Sequence, residues 1–90
     1  MSKILIIEDE AAIRRVLSKI LSEESTSYVV SEAEDGLSGL ELASKISYDL
    51  ILCDIKMPKM DGVEVLEKIK KIKPEIPVIM ISGHGDLDTA

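Results

Sequence analysis

At 90 residues, with 46% apolar and 31% charged side chains and no Phe or Trp, the chain has room for one domain whose core must be aliphatic, a composition that suits parallel strands covered by helices. A formal net charge of −6 argues against a nucleic-acid or anionic-membrane surface, which needs clustered Lys and Arg, and with only Tyr28 and Tyr48 as aromatics base stacking has no platform. The single cysteine excludes an internal disulfide and a Cys-based zinc site, and MSKILIIEDE is too short an apolar run for a signal peptide or a membrane span, so a cytoplasmic location is expected.

Residues 4–7, ILII, form an uninterrupted branched apolar run that stops at Glu8-Asp9-Glu10, which predicts a strand buried on both faces and ending in an acidic loop. Ile13, Val16, Leu17, Ile20 and Leu21 recur at helical spacing, predicting a helix of about three turns with one apolar stripe. The polar stretch SEESTS, 22–27, connects to a short strand over Tyr28–Ala33. Glu34-Asp35-Gly36 then turns the chain into a second helix reaching about Ile46, with Leu37, Leu40 and Ala43 toward the sheet. A third strand covers 50–53, LILC.

Asp61, followed three residues later by Glu64, resembles the acidic form of a capping signal; it opens a helix carrying Val63, Leu66 and Ile69, which Pro74 ends. Lys68, Lys70, Lys71 and Lys73 on that helix read as a solvated face. PVIMIS, 77–82, is a fourth strand, and 83–86 form a loop toward a further helix. Strands alternating with helices through short loops predict an α/β, doubly wound parallel sheet with helices on both faces, and such sheets gather their chemistry beyond the carboxyl ends of the strands.

Those ends carry Glu8 and Asp9 after the first strand, Asp54 after the third and Ser82 at the end of the fourth. If the first and third strands are neighbours, each like-charge pair at ~4 Å is opposed by about 4 kcal/mol at an effective dielectric near 20. Sharing a proton relieves this, and so does a hard cation. Magnesium suits, because it needs only one or two carboxylates and leaves positions for water and a phosphate. Asp54 is then placed as a nucleophile toward phosphorus, with Ser82 beside the phosphoryl oxygens.

Neighbouring residues read more plainly. Cys53 is expected to point away from Asp54 into the core as an inert thiol, Asp61 to cap a helix, and Glu10 to lie in a first turn. His84 suits either control of water access or an exposed loop. An EF-hand from Asp54 would put Lys56 and Pro58 at ligand positions and Val65 where glutamate belongs, and Gly83-His84-Gly85 lacks a third glycine at Asp86. A phosphatase of the haloacid-dehalogenase type would want an aspartate at position 56, which is lysine.

The strings ILIIEDE, DGLSGLEL, LILCDIKMPKMDGVEVL and PVIMISGHGD, in that order, resemble the receiver domain of two-component response regulators. The likeness runs the length of the chain, and the DxxMPxxDG string after an apolar strand is highly specific. It implies a flavodoxin-like fold of full strand order 2-1-3-4-5, here with the first four strands. It makes Asp54 the phosphoacceptor and Ser82 the phosphoryl-switch hydroxyl, with Mg2+ on Asp9, Asp54 and the backbone carbonyl of Lys56, and on Glu8 through water.

The implied partners are a sensor histidine kinase and an output domain or downstream protein, and the only catalysis is the domain's own phosphotransfer and dephosphorylation. ISGHGDLDTA further resembles receivers of sigma-54-dependent activators. Family members continue through another helix, a fifth strand bearing a phosphate-binding lysine and a last helix. Residues 1–90 are therefore expected to be a receiver incomplete at its C-terminus, with Val78–Ile81 as an edge strand through which copies could associate. The alternative expectation is a receiver-like interaction module that is not phosphorylated.

Overall fold

Parallel pairing, more than hydrophobicity alone, decides where the strands begin and end. In the computed structural model, which describes residues 1–81, the elements run β1 (Ser2–Ile7), α1 (Ala11–Glu24), β2 (Tyr28–Ala33), α2 (Gly36–Lys45), β3 (Leu50–Asp54), α3 (Gly62–Ile72) and β4 (Val78–Ile81). β1 starts two residues before its apolar run because Ser2 and Lys3 pair with Tyr28 and Val29. β3 takes in Asp54, which pairs with Ile81.

All pairings are parallel, as the alternating sequence predicts, and the strand order is β2-β1-β3-β4, the flavodoxin-like order that the family resemblance implies. β1 therefore lies between β2 and β3, and Ile7 stands opposite Cys53. One step further along each strand come Glu8 and Asp54. The fold thus brings two acidic residues distant in sequence to adjacent strand ends.

Successive strand residues face opposite sides of the sheet. Leu5, Ile7, Ile51 and Cys53 pack in one cluster with Ala43 of α2 and with Val65 and Ile69 of α3. Ile4 and Ile6, also buried, face the other side, where α1 lies over β1 and β2. α2 sits close to β1 because Gly39 has no side chain: a Cβ there would meet Ile7 Cδ1 at 2.5 Å.

The helix phases differ from the sequence reading in three places. On α1 the covered line is Ile13, Leu17 and Leu21, while Val16 and Ile20 are 56% and 54% exposed, because the helix rests on β1 and β2 along a strip narrower than its apolar stripe. On α2 the inner face is Gly36, Gly39 and Ala43 with Leu40 beside them, which turns Leu37 outward. On α3 the inner line is Gly62, Val65 and Ile69, so Val63 is exposed and Val65 takes its expected place.

The Asp61 cap follows the sequence, whereas Glu10, expected in a first turn, stands at the N-cap before Ala11 and makes no side-chain cap bond, because its extended backbone leaves it just outside α1. Asp35 accepts from the Ser38 amide at 2.8 Å and from its hydroxyl at 2.6 Å, and Asp61 accepts from the Glu64 amide at 2.9 Å. Lys70 does more than face solvent: its ammonium donates to the carbonyls of Ile76 and Pro74, closing the turn after α3. Among the described residues β4 is an edge strand, and Ile79 on it is 52% exposed.

Candidate functional site

Adjacent strand ends place Glu8, Asp9 and Asp54 together, with one carboxylate oxygen from each within 4.8 Å of the others. Glu8 and Asp54 are fully buried and Asp9 is partly so. Glu8 Oε2 accepts from the Glu10 amide at 3.1 Å, and Asp54 Oδ1 accepts from the Lys56 amide at 3.4 Å. Glu8 Oε1 and Asp9 Oδ1 are buried without a hydrogen-bond partner among the described residues. Orphaned buried carboxylate oxygens are costly, and two of them in one cluster call for a ligand.

The electrostatics agree. Burial, with the Asp54 charge adding to it, pushes the Glu8 carboxyl up from 4.5 to about 7, although the Glu10 amide opposes the rise. The donor set is all hard oxygen, which fits a divalent cation such as magnesium and relieves both the orphaned oxygens and the mutual repulsion.

The segment after Asp54 explains the rest of the sequence signature. Met57 is tucked into the core, Lys59 turns the chain with a left-handed φ of 71°, and Gly62 opens α3 directly against β3. A Cβ on Gly62 would run into the Asp54 carbonyl oxygen and lie 2.8 Å from both the Asp54 carbonyl carbon and Ile55 Cα. The Gly62 amide donates to Ile55 O at 2.8 Å, and the Ile55 amide donates to Ile81 O at 2.9 Å. Asp54 is thereby clamped between β4 and the start of α3.

Cys53 behaves as a core residue. It is buried in the main cluster, and burial first, then the nearby carboxylates, pushes its thiol up to about 12. A thiol so protonated is no nucleophile. Lys56 follows Asp54 with its side chain exposed. Ser82, Gly83 and His84 lie outside the described residues.

Sequence reasoning passed over Arg14. Its Nη1 donates to the Glu8 carbonyl at 2.9 Å, and its Nε pairs with Glu32 Oε1 on β2 at 3.2 Å. An arginine one turn into the helix after an acidic pair was the available signal, but its partner Glu32 becomes a neighbour only through the β1–β2 register.

The profile of the response regulator receiver domain matches residues 4–90. The chain belongs to the response regulator receiver family. Sporulation initiation phosphotransferase F of Bacillus subtilis is 40% identical to this receiver over 86 residues, covering 96% of the chain and 68% of that protein. The transcriptional regulatory protein ResD of the same organism is 41% identical over 85 residues; the match covers 94% of the chain but only 34% of ResD.

Among solved structures, the complex of the histidine kinase ThkA with the response regulator TrrA matches at a TM-score of 0.85 and 34% identity, over 97% of this chain and 73% of that one. The receiver domain of the Arabidopsis thaliana histidine kinase CKI1, complexed with Mg2+ and BeF3−, matches at a TM-score of 0.85 and 26% identity, over 92% and 66%. The receiver is a signalling domain of two-component systems. Among its described residues no helix is long and apolar enough to cross a membrane.

Proposed function

We propose that this receiver takes a phosphoryl group from a sensor histidine kinase onto Asp54 and thereby switches an output domain or downstream protein. The observation that carries the reading is the buried Glu8, Asp9 and Asp54 cluster with its two orphaned oxygens at the end of the sheet. An Asp54 carboxylate oxygen attacks phosphorus, the bond from phosphorus to the donor histidine nitrogen breaks, and the electron pair leaves on that nitrogen. The clamp formed by Gly62 and the Ile55–Ile81 bond holds Asp54 still during the attack, so little orientational freedom is lost at that moment.

In this reading Asp9, Asp54 and the Lys56 carbonyl hold magnesium, with Glu8 acting through water, and the ion when bound offsets the negative charge of the carboxylates and the phosphoryl group. Ser82 is the hydroxyl that senses the phosphoryl oxygens. The kinase–regulator pairing of ThkA with TrrA and the Mg2+ and BeF3− complex of CKI1 support the donor and the ion. A cytoplasmic site of action follows from a kinase-fed signalling role.

Acetyl phosphate supplies the test. Magnesium-dependent, acid-stable and base-labile labelling supports phosphotransfer. Absence of label with and without magnesium returns the chain to the role of an interaction module that is not phosphorylated.

A further inference from the structure

Glu8 is restrained from three directions. Its amide donates to Ala33 O at 3.1 Å, its Oε2 accepts from the Glu10 amide, and its carbonyl accepts from Arg14 Nη1 at 2.9 Å. The first bond continues the β1–β2 pairing and the second is local. The third is different, because it holds the peptide that joins Glu8 to Asp9, beyond the end of the strand where sheet pairing no longer reaches. The arginine side chain is only 17% exposed and its Nε is held by Glu32 at 3.2 Å, so the guanidinium is fixed at both ends.

Arg14 also belongs to α1, and its own amide donates to Glu10 O at 2.9 Å as the first bond of that helix. One residue therefore ties β1, the acidic turn, α1 and β2 together. A planar guanidinium suits the task, since its fixed fork meets a carbonyl and a carboxylate at once, which an ammonium on a flexible stem does not do.

From this geometry we infer that Arg14 is a positioning residue for the acidic pair: by holding the Glu8–Asp9 peptide it sets the carboxylates of Glu8 and Asp9 at the spacing a divalent cation requires, and Glu32 keeps the guanidinium on that carbonyl. The inference rests on the proposed cation site. It also predicts an effect on the metal-free protein. Arg14 touches neither a carboxylate of the cluster nor the reacting atoms; it acts through the peptide.

The sign of the effect separates positioning from simple charge. A cation near the cluster repels Mg2+, so removing it by charge alone would tighten binding. Loss of a positioning contact weakens binding, here by about tenfold, the lower end of what outer-sphere partners of a metal site cost. Calorimetric titration of wild type, Arg14→Ala, Arg14→Lys and Glu32→Gln with Mg2+, alongside hydrogen exchange of the Asp9 and Glu10 amides in metal-free protein, tests it.

The expected pattern is weaker binding and faster exchange in Arg14→Ala, a partial recovery in Arg14→Lys, and a smaller loss in Glu32→Gln at nearly unchanged melting temperature. Unchanged or tighter binding in Arg14→Ala, or unchanged exchange at both amides, overturns the inference. If Arg14→Ala does not fold, Glu32→Gln and Arg14→Lys carry the comparison, and wild-type values in both overturn it. Wild-type protein that fails to bind Mg2+ would sink the proposed cation site, while the exchange rates would still decide the role of Arg14.

Discussion

In metal-free protein, Glu8→Gln is expected to remove a pH dependence that Glu8 imposes on folding. Glu8 is fully buried and its carboxyl is pushed from 4.5 to about 7, chiefly by burial and then by the charge of Asp54. Its pKa is thus higher in the folded state than in the unfolded one. As pH falls through that window the folded protein takes up the proton first, so stability rises toward acid and falls toward base, and the full penalty is present above about 7. The interval corresponds to at most about 3.5 kcal/mol at about 1.4 kcal/mol per pH unit.

Urea unfolding followed by far-UV circular dichroism, in chelator and at intervals from about pH 5.5 to about pH 8, measures this slope. Wild type should lose stability as pH rises, and Glu8→Gln should flatten the curve and be the more stable protein at the alkaline end. Magnesium affinity should climb over the same window, because the proton must leave for the cation to bind. A wild-type curve that is flat or rises with pH, or a Glu8→Gln curve of the same slope, would show that Glu8 does not carry a raised pKa in the folded protein.

Gly62→Ala should cost about 3 kcal/mol or more, because its methyl group meets the immobile backbone of Asp54 and Ile55, and a urea midpoint close to wild type would contradict that packing. Lys59→Gly should raise stability by about 0.5–1 kcal/mol, the strain of a left-handed φ of 71° less the added freedom of glycine in the unfolded chain, as read from the same transition. Cys53 should react with a thiol reagent only as fast as the protein unfolds, since the thiol is buried and held protonated; rapid labelling under native conditions would show that the β3 end opens independently.

The alternation of strands and helices, the Asp61 cap and the carboxylates at the strand ends were legible because each rests on a short-range signal: apolar runs bounded by turns, an aspartate three residues before the amide it caps, and acidic residues placed just past strands. The strand order was implied by the family resemblance alone, since no local signal says which strands are neighbours. What the sequence left open depended on partners distant in the chain. Val65 rather than Val63 faces inward because Gly62 must press against Asp54, which fixes the rotation of α3. Gly39 rather than Leu37 meets the sheet because Ile7 fills the space where a larger residue would stand. Local periodicity marks such stripes but not which edge of each is covered. Likewise, Arg14 looks like any exposed helical arginine until parallel pairing of β1 with β2 sets Glu32 beside it. The burial of Met57, Tyr48 and Ile76 in loops outside the helices and strands had no periodic signal at all.

The central claim is that Asp54 alone accepts the phosphoryl group. Treating wild type and Asp54→Asn with acetyl phosphate and magnesium, trapping the acyl phosphate by borohydride reduction and locating the product by peptide mass spectrometry tests it most directly. Reduction is expected at Asp54 in wild type and nowhere in the variant. Modification at Glu8, Asp9 or Asp61 in wild type, or undiminished labelling of Asp54→Asn, would contradict it.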